Sequence, residues 1–322
     1  MQLPKRWRLN HPVANTPSMT NQRADLHNHT NHSDGEYTPE ALVARAAELG
    51  LAAVAITDHD TIDALPRALQ AGKEHGVRVV CGVEITTRFV EDFFRGSLHL
   101  LVYLPPELLL REDFMQQTGE LLALGRGQAL NIARLEALNA HFGPGGVEPL
   151  LNEPLQEKHL LEHGTRISRR HFALALAQRG LDKAAITHII GNDSPAYVPS
   201  GMALSALARY LPRWPQLVRV LAHPAAGSFP EESHYKEVNP KWDVIECLLP
   251  RFLELGLDGL EAVYPAHTPQ WEQKVRDTVK ELGLTLATGG SDCHDMDHRP
   301  LGKCSVPIEV VDQIEALQST RS

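Results

Sequence analysis

A chain of 322 residues suffices for one large domain with an insertion, or for two modest domains. Its formal net charge of −9 excludes a protein that coats long nucleic acid by charge alone, but not one that takes a small anionic substrate beside bound divalent cations. The 43% hydrophobic and 22% charged residues suit an ordinary globular enzyme, no apolar run can span a bilayer, and Cys81, Cys247, Cys293 and Cys304 lack CxxC spacing, which reads as reduced thiols in the cytoplasm.

Residues 1–22 hold Lys5, Arg6 and Arg8 but no apolar segment, and read as a flexible tail rather than a secretory signal. A short strand follows from Arg23 to His27. Thr38-Pro39 opens a helix, with Thr38 as N-cap and Pro39 in the first helical position; Leu42, Ala46 and Leu49 share a face and Gly50 ends it. Residues 51–57 are an unbroken apolar run, expected of a strand covered on both faces, and it stops at Asp58-His59-Asp60. A second helix runs to about His75. Residues 77–83 form the next strand, ending in Glu84, and residues 97–103 another, carrying His99.

Strand and helix alternate to this point, which predicts a parallel sheet with helical crossovers. Residues 105–199 then read as helical. Residues 120–142 are expected as one long helix and 170–178 as another, closed by Gly180, with a basic cluster at Arg166, Arg169, Arg170 and Arg179. The alternation resumes at residues 218–222, which end in His223-Pro224. A helix at 243–255, a strand at 257–263 with Tyr264 and His267 just beyond, and a helix capped by Thr268 follow. The last strand, 284–288, passes through Gly289-Gly290 into Ser291-Asp292-Cys293-His294. About seven strands suggest an α/β barrel of the (β/α) type, short of the usual eight. The expected organisation is a barrel from residues 23–104 and 200–322, interrupted by a mainly helical insertion subdomain at residues 105–199.

Nearly every strand of this reading ends in His, Asp or Glu: His27, His29, Asp34, His59, Glu84, His99, His223, Asp292 and His294. Gathering so many ionisable groups at one rim is costly unless metal ions satisfy them. The set is too large for one tetrahedral zinc and suits two or three ions. Two such ions about 3.5–4 Å apart can share a hydroxide and present it in line with phosphorus. His and carboxylate ligands without thiolate leave Mn, Fe and Zn open. Asp58 and Asp60 are expected as partners of the ligands or as helix-start acids, Cys293 as facing away, and His32 as a surface residue.

His27-x-His29, Thr57-Asp58-His59, Glu84, His99, His223-Pro224 and Ser291-Asp292-x-His294 resemble the successive motifs of the PHP (polymerase and histidinol phosphatase) family over about residues 23–303. The resemblance implies a distorted (β/α)7 barrel with a trinuclear divalent-metal site and phosphoester hydrolysis. It implies one metal on His27, His29, Glu84 and Asp292, a second on Glu84, His99 and His223, and a third on Asp34, His59 and His294. Within the family, the insertion is similar to the branch of nucleoside 3′,5′-bisphosphate phosphatases and 5′-to-3′ exoribonucleases. That branch has Arg-Pro-His at the head of an insertion helix; here it reads Arg169-Arg170-His171. Pro195-Ala196-Tyr197-Val198-Pro199 and Glu261-x-x-Tyr264-x-x-His267 match the branch as well. Arg169 is then either a phosphate clamp or a surface arginine, His171 a second contact or a packing residue, and His267 a contact to phosphate or to the leaving oxygen, or an exposed residue ahead of the Thr268 cap.

The function expected is metal-dependent hydrolysis of a 3′,5′-bisphosphonucleotide or of the 5′ end of a short oligonucleotide. The substrate and phosphate are the partners, with no obligate protein partner and no membrane. Amidohydrolase chemistry, a small histidinol-phosphatase-like phosphomonoesterase and a non-catalytic binding domain are the competing readings.

Overall fold

The computed structural model describes residues 22–164, 167–230 and 239–321. The expected tail, apart from residue 22, lies outside them, as do Arg166 and His234. Seven strands form most of a barrel: β1 Arg23–Asp25, β2 Ala53–Ile56, β3 Arg78–Val90, β4 Arg95–Tyr103, β6 Val218–Leu221, β7 Gly259–Val263 and β8 Leu286–Gly289. They pair in the order β8-β7-β6-β4-β3-β2-β1. The short strand β5, Met202–Ala203, flanks the outer part of β3, and β9, Val306–Pro307, pairs antiparallel with the start of β1. Past β9 the ring nearly closes, because Leu26 N–H donates to Gly289 O at 3.1 Å and Asn28 bridges Cys293.

One strand departs from the expected parallel sheet. β4 runs antiparallel to both β3 and β6. The connection from β3 is a turn closed by hydrogen bonds between Glu91 and Phe94, too short for a helical crossover, so a hairpin is the only pairing open to it.

Helices α1 Pro39–Glu48 and α2 Leu65–His75 cover the first strands. Thr38 Oγ1 caps α1 by accepting from Ala41 N–H at 3.2 Å, and Gly76 ends α2 at φ 68°. On β2, Val54 and Ile56 pack outward against the helices, while Ala53 and Ala55 face the lumen with Ala24, Leu101 and Tyr103. Tyr103 Oη crosses that lumen to donate to Leu26 O at 2.9 Å.

The expected single helix at residues 120–142 is two, α3 Glu112–Arg126 and α4 Gln128–Phe142. Gly127 breaks it with an extended ψ of 170°, and there a Cβ would lie 2.7 Å from Ala123 O. Phe114, Leu121 and Leu122 of α3 join the barrel core. Leu135, Leu138 and Phe142 of α4 instead share a separate apolar cluster with Phe172, Leu176 and Ile189. That cluster is built from α4, α5 Glu157–Leu161, α6 Arg169–Ala177 and α7 Lys183–Ile190. The barrel is completed by α8 Leu204–Tyr210, α9 Trp242–Glu254, α10 Pro269–Glu281 and α11 Glu309–Thr320. Val311 and Ile314 of α11 pack against the lumen residues, and Arg78 holds the helix through Asp312 and Glu315.

Candidate metal centre

The rim is built by buried carboxylates that gather backbone donors. Asp25, at the end of β1, accepts from Ser291 N–H at 2.9 Å, Gly302 N–H at 2.9 Å and the Asn28 amide at 3.0 Å. It thereby ties the His27–His29 segment to the loop after β8. Burial lifts its pKa to about 6 in spite of those donors. Asp58 accepts from Thr30 N–H and Thr30 Oγ1, each at 2.7 Å, and from Ser33 Oγ at 2.6 Å. Asp60 accepts from Thr86 N–H and Oγ1, each at 2.8 Å. Both aspartates therefore pin loops to the barrel and cap no helix. Among the described residues, three that are not glycine have positive φ, Asp60 at 50°, His223 at 33° and Asp292 at 49°, and all lie at this rim. Two of them are candidate ligands, which is where stored backbone strain is expected to collect.

Glu84 stands at the centre. Its Oε2 lies 3.2 Å from His27 Nε2 and 3.1 Å from both His29 Nε2 and His59 Nδ1. Its Oε1 lies 2.9 Å from His99 Nδ1 and 3.2 Å from His223 Nε2. Asp292 Oδ1 is 3.0 Å from His29 Nε2 and 3.4 Å from His27 Nε2, and Asp34 Oδ1 is 3.3 Å from His294 Nε2. Three ligand groups result: His27, His29, Glu84 and Asp292; His29, Asp34, His59 and His294; and His59, Glu84 and His99. The first has the expected membership, the second adds His29 to the expected trio, and the third takes His59, with His223 reached through Glu84 Oε1. All nine sequence candidates for metal ligation are thus brought together.

The donor set fits cations. His27 Nε2, His29 Nε2, Asp34 Oδ1, Glu84 Oε2 and His99 Nδ1 are buried and make no hydrogen bond among the described residues, although they crowd within contact of one another. Lone pairs converging in a dry site repel unless a positive charge lies between them. The proton affinities agree. Burial disfavours a charged His27, but the Glu261, Glu84 and Asp292 carboxylates outweigh it and push the pKa well above the ordinary value. The same opposition takes His29 to about 9. Against burial, the surrounding imidazoles hold Glu84, Asp34 and Asp292 well below the usual carboxylate range.

A further carboxylate supports the cluster from behind. Glu261 on β7 is fully buried, lies 3.0 and 3.2 Å from His27 Nδ1, and accepts from His223 N–H at 2.8 Å. It fixes His27 with Nε2 turned to Glu84, the arrangement a carboxylate–imidazole–metal triad uses. No role is expected for Glu261 from the sequence. The available signals are its place in Glu261-x-x-Tyr264-x-x-His267 and a lone carboxylate inside an apolar strand. Tyr264 Oη donates to Asp292 Oδ2 at 2.8 Å, and Arg299 reaches the same oxygen at 3.2 Å.

The three non-metal candidates fare differently. Arg169 heads α6 with its guanidinium 5.3 Å from the Tyr197 ring centroid, and it lines the cavity above the cluster. His171 does not line that cavity. Its Nδ1 accepts from Ser168 N–H at 3.0 Å in a capping box, so its place is the start of α6. His267 is buried, with Nδ1–H donated to Ala262 O at 2.8 Å and Nε2 accepting from Ala225 N–H at 3.1 Å. With both ring nitrogens committed to the main chain, and burial lowering its pKa to about 4, it offers a substrate neither proton nor lone pair. Of the other arginines in the basic cluster, Arg170 lines the cavity and Arg179 turns back to Ala175 O at 2.8 Å.

The cavity has a volume of about 1460 Å³. Its lining includes Glu84, His99, His223 and Asp292 of the cluster, the cations Arg134, Arg169, Arg170, Lys183 and Arg299, and the further carboxylates Glu36, Asp193, Asp295 and Asp297. A carboxylate–imidazole cluster able to hold metal ions, opening on a cavity that also presents arginines and a lysine, is the equipment of a metal-dependent phosphoesterase.

The PHP domain family model matches residues 25–191, and the chain belongs to that family. The 5′-3′ exoribonuclease Rnm of Salmonella typhimurium is 30% identical over 281 residues, 84% of each chain. The phosphoribosyl 1,2-cyclic phosphate 1,2-diphosphodiesterase of Eggerthella lenta is 28% identical over 282 residues, 84% of this chain and 93% of its own. A solved structure from Bifidobacterium adolescentis, assigned as a metal-dependent phosphoesterase, is 27% identical and covers 92% of this chain with a TM-score of 0.67. The protein is a metal-dependent phosphoesterase of the PHP family.

Proposed function

We propose that the enzyme hydrolyses nucleotide phosphoesters, at the 5′ end of short oligonucleotides or in a 3′,5′-bisphosphonucleotide. The observation that carries this reading is the cavity that joins the carboxylate–imidazole cluster to Arg169 and its cationic neighbours. A substrate with one scissile phosphoester and a second phosphate could meet the cluster with the one and an arginine of the same cavity with the other. The names of the Salmonella and Eggerthella relatives, both phosphodiester hydrolases, support it.

His27, His29, Asp34, His59, Glu84, His99, His223, Asp292 and His294 would hold up to three divalent ions of Mn, Fe or Zn. When bound, those ions supply Lewis-acid charge and an activated water for attack on phosphorus. The chain does the rest. Arg169, steadied over Tyr197, offers a fork of N–H donors to the second phosphate. Tyr264 and Arg299 hold Asp292 through the oxygen turned away from His27 and His29. Glu261 sets the tautomer of His27. His267 acts by tying the residue 225 and 262 backbones together rather than by moving a proton.

The test is the Mn²⁺-loaded enzyme on adenosine 3′,5′-bisphosphate, a 5′-phosphorylated RNA oligomer, p-nitrophenyl phosphate and a p-nitroanilide. Release of phosphate or mononucleotides from the first two, well above turnover of the others, is expected. Turnover of the anilide alone, or of p-nitrophenyl phosphate with neither nucleotide substrate, overturns the reading.

A further inference from the structure

A second cavity, of about 470 Å³, shares His59, Ile167 and Ser168 with the first. Its size falls in the range of roughly 300–1,000 Å³ in which small ligands bind. Asn131, in the first turn of α4 after the break at Gly127, is part of its lining. Asn131 is only 7% exposed, yet its amide makes no hydrogen bond among the described residues. What remains exposed includes that amide, so it can meet a ligand in the cavity it lines without first breaking a bond to the described residues.

The rest of the lining narrows the ligand. Met115, Leu122 and Leu161 are apolar, Asp63 and Glu157 carry carboxylates, and no described lysine or arginine side chain contributes. With no lysine or arginine side chain from the described residues, the wall offers phosphate no cation, and its apolar part suits a flat, uncharged ring with a polar edge. An asparagine amide presents a donor beside an acceptor, the pattern that pairs with an adenine edge, and carboxylates accept from exocyclic amino groups. Since His59 belongs both to this cavity and to the metal cluster, a group seated here lies beside the cluster. We infer that the second cavity is a nucleobase subsite in which Asn131 hydrogen-bonds the base of the nucleotide being cleaved, favouring amino-bearing bases over uracil. This inference rests on the nucleotide reading above.

The test compares wild type and Asn131→Ala, both Mn²⁺-loaded, on RNA oligomers with adenosine, uridine or an abasic ribose in the 5′-terminal nucleotide, and on bis-p-nitrophenyl phosphate. Adenosine binding to metal-free protein is followed by calorimetry. Wild type should favour adenosine over the abasic oligomer. Asn131→Ala should lose roughly three- to tenfold in kcat/KM for each hydrogen bond removed on adenosine, and nothing on the abasic oligomer or the diester. Adenosine binding should weaken to match. Equal losses on all substrates, or wild type indifferent to the base while cleaving RNA, overturns the subsite and leaves the nucleotide reading standing. If RNA is not cleaved at all, the nucleotide reading fails, and calorimetry still decides the cavity: saturable adenosine binding lost in the variant supports the subsite, and none in wild type overturns it. Should Asn131→Ala not fold, the wild-type preference and calorimetry carry the same decision.

Discussion

Glu261→Gln tests whether the metal centre depends on a residue that does not belong to the ligand set. Glu261 takes the Nδ1–H of His27 at 3.0 Å and the main-chain N–H of His223 at 2.8 Å, in a site closed to solvent. Because Nδ1 donates, Nε2 keeps its lone pair, and that lone pair faces Glu84 and Asp292. Glutamine keeps the shape but has only one oxygen for two donors. Its NH₂ group must then face one of them. If it faces His27, the favoured tautomer reverses: Nδ1 accepts, and Nε2 carries a proton where a metal should be. Losing such an orienting carboxylate typically weakens metal binding by about 10–100-fold, or about 1.4–2.7 kcal/mol. Glu261→Ala should be worse for folding, since it leaves two buried N–H groups unpaired at about 1–3 kcal/mol each.

The assay is competition for Mn²⁺ against a chromophoric chelator, with melting temperatures measured with and without metal. Glu261→Gln should bind Mn²⁺ at least about tenfold more weakly and gain less in melting temperature from added metal. Excess Mn²⁺ should recover much of its kcat, because Glu261 touches no substrate. Wild-type affinity in a folded Glu261→Gln protein would refute the orienting role. Full affinity with lost activity would place Glu261 at the substrate instead.

Elemental analysis of protein saturated with Mn²⁺ should give a metal-to-chain ratio clearly above one, and one or less would contradict a cluster with three overlapping ligand groups. Asp292→Ala and His99→Ala, which belong to different groups, should each lower turnover by on the order of 10³-fold or more with the fold intact by circular dichroism; near-normal rates in either would separate that residue from the chemistry. Arg169→Ala should lower kcat/KM for bisphosphates by roughly 10–200-fold and scarcely affect a monophosphate ester, whereas equal losses on both would move Arg169 to the scissile group. His267, held neutral in the fold down to a pKa of about 4 against an ordinary 6.5, should contribute stability that is complete above pH 6.5 and lost as pH falls toward 4. Denaturant titrations of wild type and His267→Gln should therefore converge at acid pH, and parallel curves would contradict the buried, neutral assignment.

Most of the candidate ligands were legible because they follow apolar runs, and an apolar strand that stops at a histidine or carboxylate announces a rim. What sits behind the rim was less legible. Glu261 lies within β7 rather than past its end, so a search of strand ends passes over it. Asp58 and Asp60 flank a ligand, but their hydrogen bonds reach Thr30 and Thr86, far away in the chain, and no local pattern reports such pairs. Gly127 within a helical pattern signals only a modest penalty; it becomes a break because the chain must there turn from the barrel core to the separate cluster of the insertion.

His99 shows most clearly how a sound expectation can rest on the wrong geometry. As the residue of a parallel strand it should lie near the C-terminal end, yet it is the fifth residue of the nine in β4, which runs the other way. What brings it to the metal centre is register. His99 stands directly opposite Thr86, and opposed residues of an antiparallel pair share a face. Thr86 in turn lies two positions beyond Glu84 on β3, so the strand's alternation puts all three on the cavity side. Its imidazole then meets Glu84 Oε1 at 2.9 Å from a neighbouring strand rather than from a strand end. A shift of one residue in the hairpin would turn His99 to the opposite face and remove a candidate ligand. The turn between Glu91 and Phe94, remote from the chemistry, is therefore a determinant of the metal site, because its length fixes that register.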